Sequence, residues 1–185
     1  MPRTSDKRER LLRSADRLIL SKGFRQTTLA DIAEDSEVPL GNVYYYFKTK
    51  DDICKSIIDI RINAIRQLLD QCAEADDPQD RLQCLLDYPL TVRRELSDNG
   101  CPLGTLSYEL SHYEGALNTS STDLIAVVLD WVQEQFEAMG KPGARALALQ
   151  LVSNLQGMSL IANALRDPDV VKTMVNRTRD WLDTL

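Results

Sequence analysis

Apolar residues recur along almost the whole chain with the period of an α-helix rather than the alternation of a strand, and this period leaves little choice of fold class. Leu11, Leu12, Ala15, Leu18 and Ile19 form one face of a first helix, which Ser5 or Asp6 caps and Gly23 ends. A short second helix starts at Thr28, turns Leu29, Ile32 and Ala33 inward and stops near Ser36. Pro39 suits the first position of a third helix, which has room for only about two turns before Lys48. Thr49 caps a long fourth helix, with Asp51 and Asp52 at its positive end and an apolar stripe through Ile53, Ile57, Ile60, Ala64 and Leu68. Five further helices follow, between breaks at Pro78, Asn99 to Gly104, Gly115 to Thr119, Gly140 to Gly143 and Pro168; Pro89 should kink or interrupt the fifth of the nine. The expected fold is all-α, about nine helices, with a three-helix head over residues 1–50 and a larger helical domain over residues 51–185.

The third of these helices is the unusual one. Tyr44, Tyr45, Tyr46 and Phe47 put four of the chain's eleven aromatic residues side by side. On a helix, Pro39, Val43 and Phe47 share the inward face at i, i+4 and i+8, whereas three consecutive tyrosines sweep about 200° around the axis and cannot all enter one core. An outward tyrosine offers a hydroxyl to a phosphate oxygen, and Lys48 and Lys50 lie just beyond. Gly41 lets the backbone approach a groove, Asn42 has the paired donor and acceptor that match the major-groove edge of adenine, and Leu40 can touch a thymine methyl. Thr27 and Thr28 place hydroxyls and amides at the start of the preceding helix, where a phosphate could sit. Two short helices joined by a tight turn, the second carrying these groups, make a helix-turn-helix.

Charge points the same way. Residues 1–50 hold ten Lys or Arg against seven Asp or Glu, a balance of +3, while the other 135 hold twelve against twenty-one, a balance of −9. A partner rich in phosphate would meet the head. No apolar run approaches the roughly 20 residues of a membrane span. Cys54, Cys72, Cys84 and Cys101 show no metal-ligand spacing, so reduced thiols in a cytoplasmic protein are expected, with no metal or cofactor.

Residues from about Asp6 to Ile57 resemble the DNA-binding domain of the TetR family of bacterial repressors. The matching run is GFRQTTLADIAEDSEVPLGNVYYYFKTKDDI, in which Gly23-Phe24, Thr27-Thr28, Asp31-Ile32-Ala33, Val38, Gly41, Tyr44 to Phe47 and Lys48 to Lys50 keep the family's order and spacing. The resemblance implies an all-α homodimer that binds an operator as double-stranded DNA and is released when a small-molecule effector enters the larger domain. It gives DNA-contact roles to Thr27, Thr28, Leu40, Gly41, Asn42, Tyr44, Tyr45, Tyr46 and Lys50. Three positions depart from the pattern: Glu37 stands where the family turn usually has glycine, Pro39 where it often has a capping serine, and Tyr46 where histidine is common. A non-glycine residue at position 37 carries a cost if the backbone there is left-handed.

Beyond the head the resemblance is one of helical pattern and length. An effector pocket there calls for apolar walls with a few polar handles. Tyr88, Arg93, Cys101, Tyr108 and His112 are candidates, as are Tyr113, Trp131, Asn154 and Met158; each also fits an ordinary core or surface position. Cys101, in NGCPLG, lies in a Gly-Cys segment similar to one in a subset of TetR-like regulators, some of which sense electrophiles or oxidants; the alternative is a small apolar residue packed in a turn. For dimerisation the last two helices offer Leu147, Leu151, Leu155, Met158 and Val171, with Met174, Val175, Trp181 and Leu182. Two such helices per subunit would make a two-fold four-helix bundle; a core within the subunit accounts for only one face of each. Two other functions compete. A cysteine-dependent enzyme lacks an evident base, metal set or phosphate loop, and a helical protein-binding adaptor leaves Asn42, Lys50 and the outward tyrosines without a purpose.

Overall fold

The computed structural model describes residues 4–113 and 116–185. It is all-α, with ten helices and no strand among the described residues: α1 (Thr4–Lys22), α2 (Leu29–Asp35), α3 (Leu40–Tyr46), α4 (Lys50–Cys72), α5 (Pro78–Thr91), α6 (Arg93–Asn99), α7 (Pro102–Ser111), α8 (Ala116–Ala138), α9 (Ala144–Leu165) and α10 (Asp169–Leu182). The tenth arises where Pro89 lies inside α5. A proline nitrogen has no hydrogen to donate one turn back, and three residues later the backbone leaves the helix at Val92 (φ −112°, ψ 20°) before α6 begins. α1 begins at Thr4, ahead of the expected cap. The break expected at Gly115 lies outside the described residues, and Asn118 and Thr119 are already helical.

The chain forms two compact units, Met1–Ile62 with Thr105–Leu124, and Asn63–Gly104 with Ile125–Leu185. In the first, Leu11, Ala15, Phe24, Ile32, Val43 and Ile57 have no exposed surface, and burial of each of these side chains except the small Ala15 stabilises by about 1.5–3 kcal/mol. Arg61, itself buried, ties α4 to α1 through Nε to Asp16 Oδ1 at 2.8 Å. The α4 stripe differs from expectation: Ile60 is exposed, and Cys54, Ile58, Ile62, Leu69 and Cys72 are buried beside Ile53 and Ile57. Two apolar rows lie next to each other on this helix, and its neighbours decide which one turns inward.

In the second unit α9 packs against α6 and α10, and α10 against α5. Asn163 Nδ2 donates to Ser97 O at 3.0 Å and Arg179 Nε to Gln83 Oε1 at 3.1 Å, so polar side chains of α9 and α10 close the ends of that packing. The four reduced thiols expected from sequence become two. Cys72 at the end of α4 and Cys84 in α5 form a disulfide, with Cα atoms 5.5 Å apart across the turn between those helices. Cys54 and Cys101 take no part in a disulfide.

Candidate nucleic-acid interface

α2 and α3 are each seven residues long, too short to persist alone, so local caps and packing must hold them. Thr28 is the N-cap of α2: its hydroxyl accepts from Asp31 N–H at 3.1 Å, and Asp31 Oδ2 accepts from Thr28 N–H at 2.9 Å. This reciprocal pair holds the Asp31 carboxyl below its usual range, chiefly through the Thr28 backbone amide and then its hydroxyl. The other end of α2 closes through Glu37, whose φ of 53° is left-handed, with Val38 N–H returning to Ala33 O at 3.0 Å. The family's glycine position is thus left-handed here too, and Glu37 bears its cost; Arg10 braces the turn by donating to Ser36 O and to Glu37 Oε2.

Pro39 caps α3 rather than occupying its first turn, and it is exposed, so only Val43 and Phe47 of the expected inward stripe are buried. The Arg8 guanidinium stacks 5.4 Å from the Phe47 ring centroid. With these two anchors inward, the rest of α3 turns out: Leu40 is 41% exposed, Tyr44 48% and Tyr45 73%. Gly41 is exposed, and a Cβ placed there would meet nothing within 4 Å. Asn42 and Tyr46 are half-buried, and Tyr46 meets the edge of Tyr45 with ring centroids 5.1 Å apart. α4 starts with the same device as α2, Thr49 Oγ1 accepting from Asp52 N–H and Asp52 Oδ2 accepting from the amides of Lys48 and Thr49.

Two residues grouped with this surface from sequence face elsewhere. Thr27 is fully buried and its hydroxyl donates to Gly23 O at 2.8 Å, so it is internal to the bend between α1 and α2. Lys50 Nζ donates to Phe24 O at 2.9 Å and to Arg25 O at 3.3 Å, and lies 4.3 Å from the Phe24 ring centroid. The ammonium on the outer side is that of Lys48, which is exposed and donates to Tyr44 O at 3.0 Å.

The effector candidates are divided between the two units. Tyr108, His112 and Tyr113 lie in the first unit. Tyr108 is exposed against the edge of His112, and Tyr113 donates to Asp51 Oδ1 at 3.1 Å, the bond that chiefly raises its own hydroxyl. Tyr88, Arg93, Cys101, Trp131, Asn154 and Met158 belong to the second unit. There Met158 is fully buried, Asn154 donates to Thr178 at 3.4 Å, Arg93 is exposed and donates to Leu90 O, and Trp131 O accepts from Gln135. Cys101 directly precedes α7, and its sulfur accepts from Gly104 N–H at 3.4 Å.

Among the dimer candidates Leu151, Leu155, Met158, Val171, Val175 and Leu182 are buried inside the subunit, while Leu147, Met174 and Trp181 are half-buried. The large apolar residues left exposed on α9 are Leu149, Leu160, Ile161 and Leu165. No group of His, Cys, Asp and Glu among the described residues could hold a metal ion, and no described helix is long and apolar enough to cross a membrane.

A capped two-helix pair that buries Val43 and Phe47 and turns the rest of its second helix outward defines a helix-turn-helix protein. Residues 11–57 match the model for bacterial regulatory proteins of the tetR family. It is 25% identical over 176 residues, 90% of its own length and 88% of the relative's, to an uncharacterized HTH-type transcriptional regulator in the lacX 3′ region of Lactococcus lactis subsp. lactis. It is 28% identical over 151 residues, 82% and 68% of the two chains, to the HTH-type transcriptional repressor NemR of Escherichia coli K12. A TetR transcriptional regulator from Legionella pneumophila shares the fold with a TM-score of 0.84 at 20% identity, over 100% of this chain and 97% of that one.

Proposed function

We propose that the chain is a ligand-responsive, DNA-binding transcriptional regulator that acts as a homodimer, most simply a repressor released from a palindromic operator when a small molecule binds. The observation that carries this reading is α3, in which Leu40, Gly41, Tyr44 and Tyr45 are exposed and Asn42 and Tyr46 half-buried, residues of types that suit duplex DNA. Asn42 reads an adenine edge, Leu40 packs on a thymine methyl, and Gly41 admits the backbone to the groove. The hydroxyls of Tyr44, Tyr45, Tyr46 and Thr28, with the Lys48 ammonium, hold phosphates and set the register. Regulators of this family bind operator DNA and typically act as dimers with small-molecule effectors. Here the dimer surface is the outward row of α9: Leu149, Gly157, Leu160, Ile161 and Ala164 fall within about 120° of one another on the helix, opposite its buried row. Two copies would then present α3 twice, to half-sites about one helical turn apart or somewhat more.

Titration of a palindrome from the flanking DNA, at several salt concentrations, tests the reading. Binding should weaken steeply as salt rises. Asn42→Ala should cost about 1–3 kcal/mol per half-site on that palindrome, with the salt slope nearly unchanged. An equal loss on random duplex would make Asn42 a backbone contact, and no binding to any duplex would refute the function.

A further inference from the structure

The bend Gly23–Arg25 joins α1 to the helix-turn-helix and is held by side chains from outside both. Phe24 N–H donates to Glu109 Oε2 and Arg25 N–H to Glu109 Oε1, each at 2.7 Å, so one carboxylate of α7 receives two consecutive amides. On the carbonyl side, Lys50 Nζ donates to Phe24 O and Arg25 O. All four backbone polar groups of these two residues are therefore met by two opposite charges, three of them through short, charge-assisted bonds of the stronger kind and Arg25 O through a longer one at 3.3 Å. Gly23 fits the same arrangement: at its φ of 88°, an added Cβ would come to 3.2 Å from Glu109 Oε2. Two more contacts fasten the bend to the residues after Glu109, with the Arg25 guanidinium donating to His112 O at 3.1 Å and the Tyr113 ring meeting Phe24 edge-on at 5.4 Å.

What the bend holds is the start of α2. Thr27 N–H donates to Phe24 O, its buried hydroxyl to Gly23 O, and the next residue, Thr28, is the N-cap. Rotation of the Phe24–Arg25 peptides would therefore shift the point and angle at which α2 leaves α1, and α3 with it. We propose that Glu109, opposed by Lys50, is a positioning residue for DNA recognition. Its carboxylate fixes the peptide planes of the bend and so the placement of α3, although it lies 84 positions along the chain from Arg25. This role rests on the DNA-binding reading above.

The test uses the full chain with Glu109→Ala, Glu109→Gln and Lys50→Met. An operator is first selected from random duplexes with the unaltered chain. Affinity for that operator and for random duplex, amide hydrogen exchange over residues 19–28 without DNA, and the thermal midpoint are then measured. Glu109→Ala should speed exchange at Phe24 and Arg25 and lower operator affinity about tenfold, with random-duplex affinity and salt slope changed less than about twofold. Glu109→Gln, which keeps one acceptor oxygen, should recover part of both losses. Lys50→Met should lower operator affinity selectively from the carbonyl side. Faster exchange with operator affinity unchanged overturns the positioning role. So does a loss shared equally by both duplexes that follows the thermal midpoint. If Glu109→Ala does not fold, Glu109→Gln decides between the same outcomes. An unaltered chain that enriches no duplex instead refutes the DNA-binding reading itself, and this role falls with it.

Discussion

Glu37 shows how a single residue can be strained and still legible in sequence. Its left-handed backbone (φ 53°) is the conformation implied by the family's glycine, and its ion pair to Arg10 at 3.2 Å leaves the carboxylate largely in water, where such a pair contributes little. Relief of the backbone should therefore outweigh the lost pair: Glu37→Gly should raise stability by about 1 kcal/mol in denaturant titration, whereas Glu37→Ala should not. A second expectation at this scale concerns acid. Asp31 is held low by the Thr28 amide and hydroxyl, and Asp35 by Ser14 and then Arg17. A carboxylate whose pKa is lowered on folding contributes stability that is fully present above its unfolded value, about 4, and lost as pH falls through the lower folded value. Thermal midpoints of the native chain should thus fall more steeply below about pH 4 than those of Asp31→Asn, which has already lost that contribution. Parallel curves for the two chains would show that the Thr28–Asp31 box adds nothing. Caps, turns and the outward tyrosines were legible because each rests on partners within four or five residues. Glu109 was not, because its partners lie 84 and 85 positions away and one sequence has no local signal for such a contact.

At the scale of elements, the legible property was period and the illegible one was phase. α4 and α9 each carry two apolar rows. On α4 the row through Ile60 was expected inside, and the structure buries that of Cys54, Ile58 and Ile62; on α9 Leu151, Leu155 and Met158 fill the subunit's own core. The tie between α4 and α5 also escaped prediction, since cysteines 12 positions apart match no local pairing rule. Closing a loop of that length removes chain entropy from the unfolded state, worth about 3 kcal/mol in the loop-closure model. Cys72→Ala combined with Cys84→Ala, or thorough reduction, should lower unfolding free energy by up to that amount. An unchanged denaturation midpoint under reductant would mean that the bond is not formed in solution.

For the whole molecule, the outward row of α9 sets a requirement on assembly. Leu160 is 69% exposed and Leu165 65% exposed, on a helix whose other face is already buried. A charge at the centre of a two-fold seam would have to be desolvated twice, so Leu160→Glu or Ile161→Glu should weaken association by several kcal/mol and give monomers at low concentration. Leu149→Glu, at the end of the row, should do less. Sedimentation that finds full-strength dimers in both central variants would move the seam elsewhere. The all-α class and the regulator family were legible before any coordinates because they rest on period and on one dense motif. For an effector the sequence offers only candidate residues, which fall in both units, and a single sequence does not say which of them face a common space.

The buried Cys54 thiol makes the first unit a clock for its own opening. Burial pushes this group up to about 12, and its side chain has no exposed surface, so an alkylating reagent must wait for the surrounding helices to part. Cys101, only half-buried, supplies a fast internal standard, and Cys72 and Cys84 stay silent while bonded to each other. The slow phase of labelling, followed by mass, then measures the free energy of that opening, and its retardation by an added duplex would report binding without a label or a surface.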